Sequence, residues 1–283
     1  MAPLSSRRLA ASVGVLSIRS NRSFPSFVSR ALSPSATQLA SRLFGSQAFS
    51  PQPQRSILEV ERKFAPTATS ISQLEQNTGK PPFVSVVHKG NTCFEDTYYD
   101  TPEDTLSKAG IWIRRREKFE CGVRRFIRDK RVDHYGASWE AKVRVGGDFI
   151  NSAFKEITDV KEISAILSTM VAGSELEPCR GPHGGRVREM ARFITDRTAY
   201  VVDGKFSVVV DVTDFGHTVG EVELERDATE ARCEGEDKAR AVAAMDRLID
   251  EFMKRYTWAF PAGKPVGKLT AYFDQQTDRP LGH

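Results

Sequence analysis

Several short stretches of this chain alternate apolar and charged residues with a period of two, and the charged side carries both signs. Leu58–Phe64, LEVERKF, places Glu59, Glu61 and Lys63 on one side. GIWIRRRE does the same with Arg114 and Arg116, WEAKVRV with Glu140, Lys142 and Arg144, and TVGEVELER with Glu221, Glu223 and Glu225. Period two is the signature of a β-strand with unlike faces. One such strand ordinarily turns its charges to water. Several together suggest another arrangement: the apolar faces pack outward against helices and the charged faces converge inside a barrel. Charges enclosed in this way are costly unless they are paired, bound to a metal or occupied by a ligand.

The rest of the chain fits a mainly antiparallel β protein with a few helices, an α+β fold built on an eight-stranded closed barrel. Strand signals cover 57–64, 83–90, 93–100, 110–117, 218–226 and 266–273, the last being VGKLTAYF. Gly146-Gly147 and Asp203-Gly204 each separate two strand-like runs, and such pairs favour the hairpin turns that match strand twist. Helices are expected over 68–77, 160–171 and 236–257. In the last, Val242, Met245, Ile249, Phe252 and Tyr256 recur at helical spacing before Pro261. The stretches 118–136 and 173–188 read as mobile excursions.

Residues 1–55 stand apart, with seven Arg, thirteen Ser and no acidic residue. They have the composition of a mitochondrial transit peptide and lack the continuous apolar run of a signal or membrane span. The expected organisation is a disordered leader over 1–55, one domain over 56–275 and a flexible tail over 276–283. The protein is expected in the mitochondrial matrix if the leader functions, and otherwise in the cytoplasm. The net charge of +4 comes from this leader, since the remainder has 34 basic against 37 acidic residues. A nucleic-acid partner is therefore not expected, nor is a membrane span. Cys93, Cys121, Cys179 and Cys233 lie far apart without a CxxC pair, which points to reduced thiols. The five histidines show no metal spacing, and no GxxxxGK[ST] loop occurs.

The charged strands offer carboxylates, hard oxygen donors suited to magnesium or manganese, together with arginines and lysines suited to phosphate oxygens. EVERKF carries the ExExK signature of the CYTH group, the triphosphate tunnel metalloenzymes, and the resemblance runs from about residue 57 to 273. Within that group the chain is most similar to the thiamine triphosphatase branch, through DTYYDTPEDTL (96–106), WIRRRE (112–117), GEVE (220–223) and GKL (267–269). The resemblance implies an eight-stranded tunnel open at both ends. It implies that Glu59, Glu61, Asp211, Glu221 and Glu223 ligate metal. Lys63, Arg114, Arg116, Lys142, Arg197, Glu221 and Lys268 would contact substrate, and Glu156 would order the basic side. Two departures from that branch stand out: Phe154 occupies a place where tyrosine is common, and EAKVRVGG differs from the bulkier residue before the lysine and the Gly- or Pro-containing turn after it that the branch usually has.

The expected activity is metal-dependent hydrolysis of thiamine triphosphate to the diphosphate and phosphate, by a monomer acting on a small molecule. Glu59, Glu61 and Lys142 form the catalytic set. A second carboxylate-bound metal helps to activate water, and Lys142 assists the leaving oxygen, the more so if neighbouring cations lower its pKa. Trp112, on the face of the arginine pair, is placed to stack on an organic ring. Two alternatives stay open. One keeps the fold and changes the reaction: inorganic triphosphate hydrolysis, another organic triphosphate, or cyclisation of ATP. The other is a polyphosphate- or RNA-binding module without catalysis.

Overall fold

The computed structural model describes residues 57–119, 136–148, 150–171, 186–227 and 236–278. The leader and most of the two expected excursions lie outside the described residues. Eight antiparallel strands close into a barrel: β1 (Ile57–Phe64), β2 (Val86–Asp100), β3 (Ile111–Phe119), β4 (Ala137–Gly147), β5 (Asn151–Ile157), β6 (Arg188–Val202), β7 (Phe206–Thr213) and β8 (Thr218–Asp227). Their order around the barrel is β1-β5-β4-β3-β2-β6-β7-β8. Among the described residues five helices accompany them: α1 (Ala68–Gln76), α2 (Thr105–Lys108), α3 (Val160–Met170), α4 (Glu236–Arg255) and α5 (Lys268–Asp278).

The alternation seen in the sequence decides which way each strand faces. On β1, Leu58, Val60 and Phe64 turn outward onto Met245, Ile249, Phe252 and Tyr256 of α4 and the segment after it, while Glu59, Glu61 and Lys63 turn into the lumen. Arg62 also faces outward, and donates to Asp246 at 2.7 Å and Asp250 at 2.5 Å on α4. A second apolar layer sets Ile163, Ile166 and Leu167 of α3 against Ile111, Ile113, Ala141 and Val143 on the outer side of β3 and β4. Local signals start the helices. Thr67 and Ser70 form a reciprocal capping box at α1, and Asp159 accepts from the backbone of Lys161 and Glu162 at α3. Buried Asp100 accepts from the backbone N–H groups of Thr101, Leu106 and Ser107, which fixes α2 and hence the entry into β3.

Three expectations about elements are corrected. Residues 266–273 do not form a strand: from Lys268 they belong to α5, and the barrel closes through β1 and β8 with no place for another strand. Leu269, Tyr272 and Phe273 sit at helical spacing and pack together against Tyr98 and Phe193, so a short apolar run that could be read either way is settled by its neighbours. The runs 83–90 and 93–100 merge into β2, joined by an irregularity at Gly90, where φ is +110°. Gly146 and Gly147 end β4 instead of forming the loop. Asp148 makes the turn, its carboxylate accepting from the N–H groups of Ile150 and Asn151. Asp203-Gly204 does form the expected β6–β7 turn, both residues having positive φ.

Barrel closure depends on a close approach at Gly220, which pairs with Phe64 across β1 and β8. A Cβ there would lie 2.1 Å from the Phe64 ring, whose edge packs on Phe260 with centroids 5.1 Å apart. At Gly263 an added Cβ would meet its nearest neighbour at 3.5 Å, an ordinary contact. Gly220→Ala is therefore expected to destabilise the fold by about 1–3 kcal/mol in urea unfolding, and Gly263→Ala to be near neutral.

Candidate active site

The lumen encloses a cavity of about 340 Å³. The cross-strand register determines which charges meet inside it. Asp96 of β2 pairs with Arg116 of β3, Arg114 of β3 with Glu140 of β4, Lys142 of β4 with Glu156 of β5, and Arg197 of β6 with Asp211 of β7. Each of these rungs joins opposite signs. The seam of β1 and β8 differs: Lys63 faces Glu221, but Glu61 faces Glu223 and Glu59 faces Glu225. Like charges placed directly opposite each other repel, so this seam holds negative charge that the strand pairing leaves uncompensated.

The cations are held by carboxylates in well-formed pairs. Arg116 grips Asp96 with two hydrogen bonds of 2.7 Å and lies 3.9 Å over the Phe94 ring. Arg114 donates twice to Glu140 Oε2, at 2.9 and 2.7 Å, and reaches Tyr98 Oη at 3.3 Å. Arg197 grips Asp211 with two 2.7 Å bonds, and Lys268, brought in at the start of α5, also contacts Asp211. Lys63 contacts Glu61 and lies 3.6 Å from Glu221. Lys142 lies 2.7 Å from Glu59 and 3.2 Å from both Glu61 and Glu156.

These surroundings divide the acids into two kinds. Burial works against the charge of Glu221, but Lys268, Lys63 and Arg197 outweigh it and hold the carboxyl well below its usual range. Glu61 is likewise held down, by Lys63 and Lys142 against burial. Burial prevails at Glu223, which is pushed up to about 7, and at Glu59, which is raised well above its usual value. Asp96 is lowered to about 2, since Arg114 and Arg116 overcome its burial. At Lys142 burial is overcome by Glu59, Glu61 and Glu156, and the ammonium stays protonated far above its ordinary value. Its neighbours are carboxylates, so the expectation of cations lowering its pKa is corrected.

One carboxylate oxygen each from Glu59, Glu61 and Glu223 lies within 4.8 Å of the other two. Glu59 Oε2, though close to the Lys142 ammonium, is buried and accepts no hydrogen bond. Three convergent hard oxygens, two of them on acids that burial makes reluctant to ionise, fit a divalent cation. Asp211 and Glu221 are not in this group and are engaged by Arg197, Lys63 and Lys268. The other residues singled out in the sequence, Glu156 included, line the same cavity, except that Asp211 reaches it through Arg197 and Lys268. Trp112 lines it beside the arginines and meets Phe154 edge-on at 5.7 Å.

Asp96, Tyr98, Glu140 and Arg144 also belong to the site without having been assigned a role from the sequence. Asp96 and Tyr98 alternate on β2, a usable signal, but only register places them opposite Arg116 and Arg114. His88 bonds to Asn91 and His217 to the Val266 carbonyl, and neither lines the cavity; the other three histidines lie outside the described residues. Cys93 is buried and not in a disulfide, while the other cysteines lie outside the described residues. No helix of the described residues is long and apolar enough to cross a membrane.

A closed antiparallel barrel whose lumen sets a carboxylate cluster beside paired arginines defines a tunnel protein equipped for cations and polyanions together. The chain belongs to the CYTH family, whose domain matches residues 58–251. It is 29% identical to the thiamine-triphosphatase of Homo sapiens and 28% identical to that of Macaca fascicularis, in each case over 60% of this chain and 68% of the relative. Among solved structures it is similar to a protein of Pyrococcus horikoshii, with 15% identity, a TM-score of 0.43 and coverage of 77% of this chain and 99% of that one. It is also similar to a Hippeastrum protein with a dominant triphosphatase activity, with 18% identity, a TM-score of 0.42 and coverage of 77% and 96%.

The raised acids have a consequence for stability. Folded protein without bound metal binds the Glu223 proton more tightly than the unfolded chain does, so this contribution is complete only below the ordinary value of 4.5 and is lost as pH rises through about 7. In chelator the melting temperature should fall between pH 5 and 8, and Glu223→Gln should flatten that fall. A melting temperature that rises over this interval would contradict the assignment.

Proposed function

We propose that this protein hydrolyses the terminal phosphoanhydride of a small-molecule triphosphate with the help of a divalent cation. The observation that carries the reading is the acid-on-acid seam of β1 and β8 beside the paired arginines of β3. Among the described residues the lumen is lined by seven carboxylates and seven cations, beside which lie the carboxylates of Asp96 and Asp211. A polyanion alone would leave the acid-on-acid seam of β1 and β8 without a partner. A polyanion accompanied by a cation satisfies both halves of the wall, which argues against a simple anion-binding or RNA-binding module.

Glu59, Glu61 and Glu223 would hold the ion, magnesium by preference and manganese as the alternative. When bound, it supplies positive charge that polarises the phosphoryl group under attack. Arg114, Arg116, Arg197, Lys63 and Lys268 would exchange part of their carboxylate contacts for phosphate oxygens and hold the chain of phosphates still. Lys142, kept protonated, can donate a hydrogen bond to the leaving oxygen. Glu156 restrains its ammonium, and Asp211 and Glu221 orient Arg197 and Lys268.

Two substrates fit this reading, of which thiamine triphosphate is supported by the two thiamine-triphosphatase relatives and by the ring of Trp112 in the cavity wall. Inorganic tripolyphosphate is the other, favoured by the Arg144 guanidinium, which already lies over that ring. Location in the mitochondrial matrix remains part of the proposal, on the composition of residues 1–55.

Phosphate release from thiamine triphosphate, tripolyphosphate and ATP, with and without magnesium, tests the activity. Magnesium-dependent release is expected, and Glu59→Gln should reduce it by about 100-fold or more with an unchanged circular dichroism spectrum. Arg114→Gln should lower kcat/KM by about 10–100-fold through loss of phosphate contacts. Full activity in both variants, or tight anion binding without turnover, would sink the assignment.

A further inference from the structure

Arg144 is placed differently from the other cations of the lumen. Its guanidinium lies 4.9 Å from the centre of the Trp112 ring. The backbone sets this contact. Arg144 pairs with Phe154 across β4 and β5, and its N–H donates to the Gly110 carbonyl at 2.8 Å. Lys142, two residues earlier, pairs with Trp112, which makes Arg144 the diagonal neighbour of the indole on the same face. Trp112, Phe154 and Arg144 all line the cavity. Arg144 also falls in the EAKVRVGG stretch where the sequence departs from the thiamine triphosphatase branch.

An indole face attracts cations through its quadrupole, and here a guanidinium occupies it. A substrate ring with a permanent positive charge would compete for that face and bring a like charge beside the guanidinium. A triphosphate without a ring, or with an uncharged one, incurs no such repulsion. We infer that Arg144 is a specificity-determining residue that selects against triphosphates bearing a cationic ring, thiamine triphosphate among them, and favours those without one, inorganic tripolyphosphate being the simplest. This rests on the proposed triphosphate hydrolysis and specifies the substrate class of the same site.

The test compares kcat/KM for thiamine triphosphate and for tripolyphosphate, with magnesium, in the wild type, Arg144→Gln and Arg144→Lys. Tripolyphosphate carries one more negative charge than an esterified triphosphate, so ATP, an ester with an uncharged ring, is measured beside it. ATP and thiamine triphosphate present the same phosphate charge, a change in phosphate grip cancels in their ratio, and that ratio must move in the same direction. Arg144→Gln should raise the ratio in favour of thiamine triphosphate by about tenfold or more, whereas Arg144→Lys, which keeps the charge, should leave it within about twofold. A second readout needs no turnover: thiamine itself should quench tryptophan fluorescence at lower concentration in Arg144→Gln than in the wild type. If Arg144→Gln fails to fold, Arg144→Met makes the same comparison. An unchanged ratio in a variant that cleaves both substrates overturns the inference, as does an equal rise in the Lys and Gln variants. If the wild type cleaves neither substrate, the proposed hydrolysis fails instead, and the thiamine titration still decides the role of Arg144.

Discussion

The register of β1 on β8 is the constraint on which the site depends. It sets Glu61 opposite Glu223 and Glu59 opposite Glu225, on a wall where the other paired rungs described above join opposite charges. In water such a seam would be relieved by hydration. Inside a closed barrel hydration is reduced, and the repulsion has three outlets: a proton, a neighbouring ammonium or a metal ion. Two of these outlets are in place in the structure. Glu59 and Glu223 hold on to protons more strongly, and Lys142 and Lys63 lean across to Glu59 and Glu61. A divalent cation fits the place that these arrangements fill only in part.

The opposite wall shows the same logic with the signs reversed. Arg114 and Arg116 on β3 would repel each other across one intervening residue if Asp96 and Glu140 did not flank them on the adjoining strands. The bidentate pairs hold the guanidinium planes in place before any ligand arrives, which lowers the ordering cost of binding. Asp211 does the same for Arg197 and Lys268, and in doing so ties α5 to the barrel wall. Asp211, expected from the sequence to ligate metal, is in this structure buried and bonded to both cations.

The outer shell makes this interior affordable. Charged pairs inside a barrel contribute little net stability once desolvation is counted, so the fold relies on the apolar outer faces of its strands. The helices supply what those faces bury, α4 over β1 and β8 and α3 over β3 and β4, while Leu269 and Phe273 of α5 pack on the lumen side against Tyr98 and Phe193. The period-two alternation thus serves both sides of the wall at once. A one-residue slip of a strand would exchange them, which specifies register strongly.

Much of this was legible in the residues. Alternation on LEVERKF, WIRRRE, WEAKVRV and GEVELER established strands with one charged face, and their number pointed to an enclosed lumen. The composition of that face suggested a metal and a polyphosphate. Local chemistry also located α1, α3 and α4 and the Asp203-Gly204 turn. What the chain alone could not settle was pairing between distant segments. Asp96 is an unremarkable acid until β2 lies beside β3. VGKLTAYF suits a strand until the barrel closes without it. Arg144 is one more charge on β4 until Trp112 arrives from β3 beneath it. Side-chain period and charge are local properties written in the sequence. Which acid faces which acid, and which cation covers which ring, depends on cross-strand register, and only the closed barrel decides that.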